Sequence, residues 1–99
     1  MVTKEDVMKA LKKVIDPELG IDIVELGLVY GVKVSKDGLV EVDMTLTSPG
    51  CPLATEIMAA AEAKLMKIPG IKKATVEFSF DPPWTPERMS ADARMLLGI

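Results

Sequence analysis

Residues 30–35, 40–46 and 74–80 alternate apolar with polar side chains one by one, and between the second and third of these lies a stretch that repeats every three to four residues. Tyr30, Val32 and Val34 alternate with Gly31, Lys33 and Ser35. After Lys36-Asp37-Gly38, the residues Val40, Val42, Met44 and Leu46 alternate with Glu41, Asp43 and Thr45, so the pair reads as a β-hairpin with a glycine-containing turn. Ala74, Val76, Phe78 and Phe80 against Lys73, Thr75, Glu77 and Ser79 form a third strand of the same kind. The intervening stretch, Pro52 to Lys67, is rich in Ala, Leu, Met, Glu and Lys, and Leu53, Ile57, Ala61, Leu65 and Ile68 trace one face of a helix that Pro69-Gly70 ends. Each strand has a single apolar face, so helices are expected to cover the sheet on one side only. Strand, helix and strand in succession predict a right-handed crossover.

The flanks complete the layout. Thr3 is placed to cap a first helix, with Asp6 three residues on in a capping-box arrangement, and Val7, Ala10, Leu11 and Val14 recur at helical spacing until Asp16-Pro17 stops it. From Asp16 to Tyr30 the text DPELGIDIVELGLVY is too apolar for a solvated loop and reads as a packed, irregular connection. After Asp81-Pro82-Pro83-Trp84, Thr85-Pro86 and Ser90 are successive helix starts, leading into a short terminal helix through Ala93, Leu96 and Leu97. Trp84 reads as an anchor between that helix and the sheet, and Arg88 as a surface cation. The expectation is an α+β fold of order α-β-β-α-β-α over a single domain, residues 1–99. It has two layers: a small mixed three-stranded sheet with helices packed on one face.

Composition excludes whole classes of function. No stretch approaches the roughly 20 apolar residues needed to cross a bilayer, and polar residues interrupt every apolar run of the amino terminus, so neither a membrane span nor a secretory signal is expected. An intracellular, cytoplasmic protein follows. The net charge is −3 and the twelve lysines and arginines are spread among fifteen acids, which disfavours nucleic-acid binding. Histidine, asparagine and glutamine are absent; without an imidazole no Ser-His-Asp or Cys-His centre and no histidine metal site forms in cis. Missing amides with abundant Lys and Glu also suit a heat-adapted source, against which the seven methionines argue.

One cysteine is left to carry chemistry. Thr45-Leu46-Thr47-Ser48-Pro49-Gly50-Cys51-Pro52 leaves a strand and enters the central helix, which puts Cys51 at the cap position and Pro52 at the first helical residue. Unpaired amide N–H groups and the positive end of the helix dipole favour a thiolate there, the form that binds iron or copper(I). The plainer reading of a lone cysteine is a small buried core residue. Asp16 reads equally as a turn cap, and Glu18 and Glu25 as solvated carboxylates or as acids beside the sulfur. Gly20 and Gly27 read as turn residues.

Three blocks carry a resemblance: Asp16-Pro17-Glu18-Leu19-Gly20 with Ile23–Tyr30, then Thr45–Pro52, then Pro82-Pro83-Trp84-Thr85-Pro86-Glu87-Arg88-Met89-Ser90. Together they resemble the SufT/PaaD-like iron-sulfur cluster assembly family, across nearly the whole chain. That resemblance implies an accessory or targeting factor in the maturation of iron-sulfur proteins, not an enzyme. It further implies a shared site of Asp16, Glu18, Leu19, Thr47, Ser48 and Cys51, with Cys51 as a transient metal ligand and partners among scaffold, carrier or apo-client proteins. PaaD-type relatives, linked to a phenylacetyl-CoA oxygenase complex, commonly carry a cysteine-rich extension; the absence of one here places the chain nearer the assembly branch. One cysteine supplies too few ligands for a stable cluster, so no tightly bound cofactor is expected. Any iron or iron-sulfur cluster would be shared between two copies, as in a homodimer, or with a partner's thiols. The rivals are a non-catalytic oxygenase subunit, a small thiol redox protein, and an interaction module whose cysteine is inert.

Overall fold

The computed structural model describes residues 2–17, 19–46 and 54–98. Helix α1 (Lys4–Leu11) begins as its sequence predicts: the Asp6 N–H donates to Thr3 Oγ1 at 3.1 Å and the Thr3 N–H donates to Asp6 Oδ2 at 3.0 Å. The two groups satisfy donors that the first turn of any helix leaves unpaired. The helix stops at Leu11, sooner than Asp16-Pro17 would require. Lys13 and Val14 donate to the carbonyls three residues back, tightening the chain, and the Val14 carbonyl then accepts from Ile23 at 2.9 Å. Val14 is buried as expected, but as part of the connection.

The Asp6 carboxyl is held below the ordinary aspartate range, first by the Thr3 N–H, then by the Thr3 side chain, with Lys9 assisting. A carboxyl whose pKa is lower folded than unfolded adds stability above its unfolded value, about 3.9, and loses that contribution as pH falls through the folded value. We expect carbon-detected NMR titration to find Asp6 below the ordinary value. In Thr3→Ala it should move up, with α1 weakened by about 1 kcal/mol as a cap is lost. An Asp6 midpoint unchanged by that substitution would contradict the assignment.

Strands β1 (Val29–Val34) and β2 (Leu39–Met44) form the expected antiparallel hairpin, and β3 (Lys73–Phe78) lies parallel to β2, giving the order β1-β2-β3. At the turn, Ser35 donates its N–H to the Leu39 carbonyl while its hydroxyl accepts from the Leu39 N–H. Val32, Val34, Val40, Val42, Met44, Ala74, Val76 and Phe78 share the inward face; Gly31, Lys33, Leu39, Glu41, Asp43, Lys73 and Glu77 are exposed. Helix α2 (Ala54–Met66) buries Ile57, Ala61 and Leu65, packing on β3 and against α1, which also meets β1.

Three details depart from simple alternation. A bulge between Val29 and Gly31 makes Val29 the partner of Met44, so Tyr30 falls out of the Val32–Val34 face. A bulge places two residues of one strand against one of the other. Phe80, beyond the end of β3, is 43% exposed. Thr45 was expected on the solvent side, yet Met44, Thr45 and Leu46 are all buried, because pairing with β1 stops at Met44 and the Thr45 N–H turns to the Leu28 carbonyl, 2.7 Å away.

The carboxyl-terminal segment forms a 3-10 turn (Pro86–Arg88) and then α3 (Ala91–Leu97), capped by Ser90, whose hydroxyl accepts from the Ala93 N–H at 3.0 Å. Helix α3 buries Ala93 and partly buries Leu97, but Leu96, expected to face inward, is exposed. Among the described residues no helix is long and apolar enough to cross a membrane.

Candidate functional site

The connection between α1 and β1 is built around carboxylates that cap its own turns. Asp16 is 4% exposed; its N–H donates to the Ile21 carbonyl at 2.9 Å, its carbonyl accepts from Gly20 at 2.8 Å, and its Oδ1 accepts from the Leu19 N–H at 3.3 Å. Such closure is what a short aspartate does in a turn. Asp16 thus caps a turn, and it does not end α1. Leu19 is half-buried against the core. Six residues after Asp16, Asp22 Oδ2 accepts from the N–H groups of Val24 and Glu25 at 3.1 and 3.0 Å, while Ile15 and Asp22 pair as an isolated bridge.

Residues 81–90 lie across this connection as a strap. The Trp84 indole N–H donates to the Leu26 carbonyl at 2.7 Å, so the tryptophan, packed against the core, anchors the strap to the connection. Ser90 donates its N–H to the Glu25 carbonyl at 2.8 Å and its hydroxyl to the Glu25 carboxylate. Tyr30 donates to the Pro82 carbonyl at 2.9 Å, and the Arg88 guanidinium sits 4.8 Å from the centre of the Tyr30 ring. A cation over an aromatic face is attracted by the ring quadrupole, so Arg88 is more than a loose surface charge. Gly27 has φ +74°, and a Cβ built on it would lie 2.1 Å from the Arg88 carbonyl oxygen. Glu25, weighed from sequence as a solvated carboxylate or an acid near the sulfur, accepts from the Ser90 hydroxyl.

Cys51, Glu18, Thr47 and Ser48 lie outside the described residues, as does the proposed cap geometry at Pro52. Of the six expected site residues, Asp16 and Leu19 are described, and both belong to the same turn. What the structure adds is the link between the first two sequence blocks: the 2.7 Å bond from Thr45 N–H to Leu28 O joins the connection to the end of β2, from which residues 47–53 run to α2. Thr45 is fully buried and its Oγ1 has no hydrogen-bond partner among the described residues. Pattern reading missed this because alternation placed the residue on the wet face. Among the described residues no three His, Cys, Asp or Glu side chains converge to hold a metal ion.

Residues 4–78 match the model of the family described as iron-sulfur cluster assembly protein. The chain belongs to this family. Within it, the chain is 50% identical over 96 residues to the Fe-S protein maturation auxiliary factor YitW of Bacillus subtilis, covering 97% of this chain and 94% of that one. It is 51% identical over 86 residues to the Fe-S protein maturation auxiliary factor SufT of Staphylococcus aureus, covering 87% and 98%. Among solved structures, a conserved hypothetical protein of Thermotoga maritima superposes with a TM-score of 0.87 at 54% identity, covering 99% of this chain and 96% of the other. The family match ends at Phe78, whereas the YitW likeness leaves only three residues of this chain uncovered and so takes in most of the strap.

Proposed function

We propose that this protein is an accessory factor in iron-sulfur protein maturation, handling iron or a cluster as cargo through the Cys51 thiolate without turning over a substrate of its own. The observation that carries the reading is the near full-length identity to proteins named Fe-S protein maturation auxiliary factors. The residues agree with it. A single cysteine stands three positions before the first residue of α2, and the chain offers no histidine to make that sulfur part of a hydrolytic centre. Asp16, Glu18, Leu19, Thr47 and Ser48 are the proposed surroundings of the thiol. The bond between Thr45 and Leu28 supports this, since it ties the connection that holds Asp16 and Leu19 to the end of β2, after which the sequence runs to Cys51. With one thiolate per chain, a cluster in transit requires a second copy, a scaffold or carrier, or the apo-client to complete its ligands.

Anaerobic reconstitution with iron and sulfide, in the presence of an apo-client, tests this directly. Cys51→Ser is expected to lose metal affinity by at least the roughly 10–100-fold that even outer partners of a ligand contribute, and client activation should fall with it. Equal metal uptake and equal client activation by the two proteins would remove the thiol from the mechanism.

A further inference from the structure

Helix α3 turns large apolar side chains outward: Met95 and Leu96 are 79% and 77% exposed, and Ile15 on the neighbouring connection is 51% exposed. Ile15, Ile21, Ala93 and Leu96 line a groove between the connection and α3, and among the described residues the charged ones lining it are all acids, namely Asp22, Glu25 and Asp92. Two of these carboxylates are held in place, Asp22 by the N–H groups of Val24 and Glu25, and Glu25 by the Ser90 hydroxyl. An ionised carboxylate has about four lone-pair sites, so both keep acceptor capacity beyond these bonds. No lysine or arginine among the described residues forms an ion pair with any of the three.

We propose that this groove docks a cationic amphipathic segment of a partner protein, with a bulky apolar side chain seated over Ile15, Ile21 and Leu96 and lysine or arginine side chains on the acidic rim. Charge decides between occupants. A second copy meeting this surface about a two-fold axis would set Asp22 and Asp92 against the same acids, and an anionic membrane would be repelled by them. A positively charged segment gains from both the exposed apolar floor and carboxylates that are already oriented.

The test uses the full chain and two fluorescein-labelled synthetic helices of equal length, one built from leucine and lysine, the other from leucine and glutamate, read by fluorescence anisotropy. The lysine helix is expected to bind, more weakly as salt rises, and the glutamate helix not to bind. Leu96→Glu and Asp92→Lys each change an exposed position, so circular dichroism should show the fold retained while binding weakens about tenfold or more. Glu41→Lys, on the open face of the sheet, and Cys51→Ser are both expected to bind as the native chain does, so a failure here is separable from a failure of the thiol reading. The proposal is overturned if Glu41→Lys weakens binding as much as Asp92→Lys, or if Leu96→Glu binds normally. Sedimentation showing a dimer that Leu96→Glu dissolves would assign the groove to a second copy and overturn it equally.

Discussion

Gly27→Ala is expected to destabilise the protein by about 3–5 kcal/mol, a large part of the roughly 5–15 kcal/mol that holds a domain folded. Two effects combine. A left-handed residue with a Cβ costs about 1–2 kcal/mol. The added carbon would also lie 2.1 Å from the Arg88 carbonyl oxygen and 2.7 Å from its carbonyl carbon. Both are backbone atoms that no rotamer change moves aside, so the strap must lift. Lifting it stretches the Trp84–Leu26 bond and both Ser90–Glu25 bonds, each worth about 0.5–1.5 kcal/mol. Gly20→Ala is the control, because Gly20 has φ +71° with nothing within 4 Å of the added carbon and should suffer the strain alone. Thermal unfolding reads the difference: at about 4–8 °C per kcal/mol for a chain of this size, Gly27→Ala should melt roughly 12–40 °C below the native protein. Equal melting of the two variants would show that the strap yields without loss.

Leu11→Ala should cost about 3 kcal/mol, within the 2–5 range for emptying a buried leucine site. Leu11 is fully buried, the last residue of a helix only eight residues long that packs on α2 and β1. A helix so short has little stability of its own, so its tertiary contacts decide whether it forms. Leu96→Ala, at a position 77% exposed, is expected to change stability by less than about 0.5 kcal/mol. Urea denaturation of both variants checks the contrast; a Leu11 loss no larger than the Leu96 loss would mean that α1 adds little to the core.

The elements were legible because each buries one face, and burial writes its period into the residue order. Thr3 with Asp6 announced the first cap, Ser90 the last, and the run of Ile57, Ala61 and Leu65 the central helix. Val14 misled because it keeps helical spacing with Leu11 while sitting in a tightened turn whose carbonyl serves Ile23. Tyr30 and Thr45 misled for a related reason: a bulge and a strand end each shift the count by one, and alternation carries no mark of where pairing stops. Leu96 looked like core and is surface, since a helical repeat does not say which face meets a neighbour. The strap was the least visible feature. Its contacts join residues 52 to 65 positions apart, and only Trp84, read as an anchor, pointed to a packed role for this segment. Of the candidate site, composition isolated the thiol by elimination and the turn-capping reading of Asp16 was open in the sequence, while its partners at Leu19, Gly20 and Ile21 needed coordinates.

Residues 81–90 are synthesised after the connection they cover. Until the ribosome releases them, the Leu26 carbonyl and the Glu25 carboxylate lack the donors that Trp84 and Ser90 provide. A nascent chain ending at β3 would therefore hold its hairpin and central helix beside a connection whose Asp16 turn is already closed by its own bonds, but whose Glu25–Leu26 end stays unlatched until the strap has emerged.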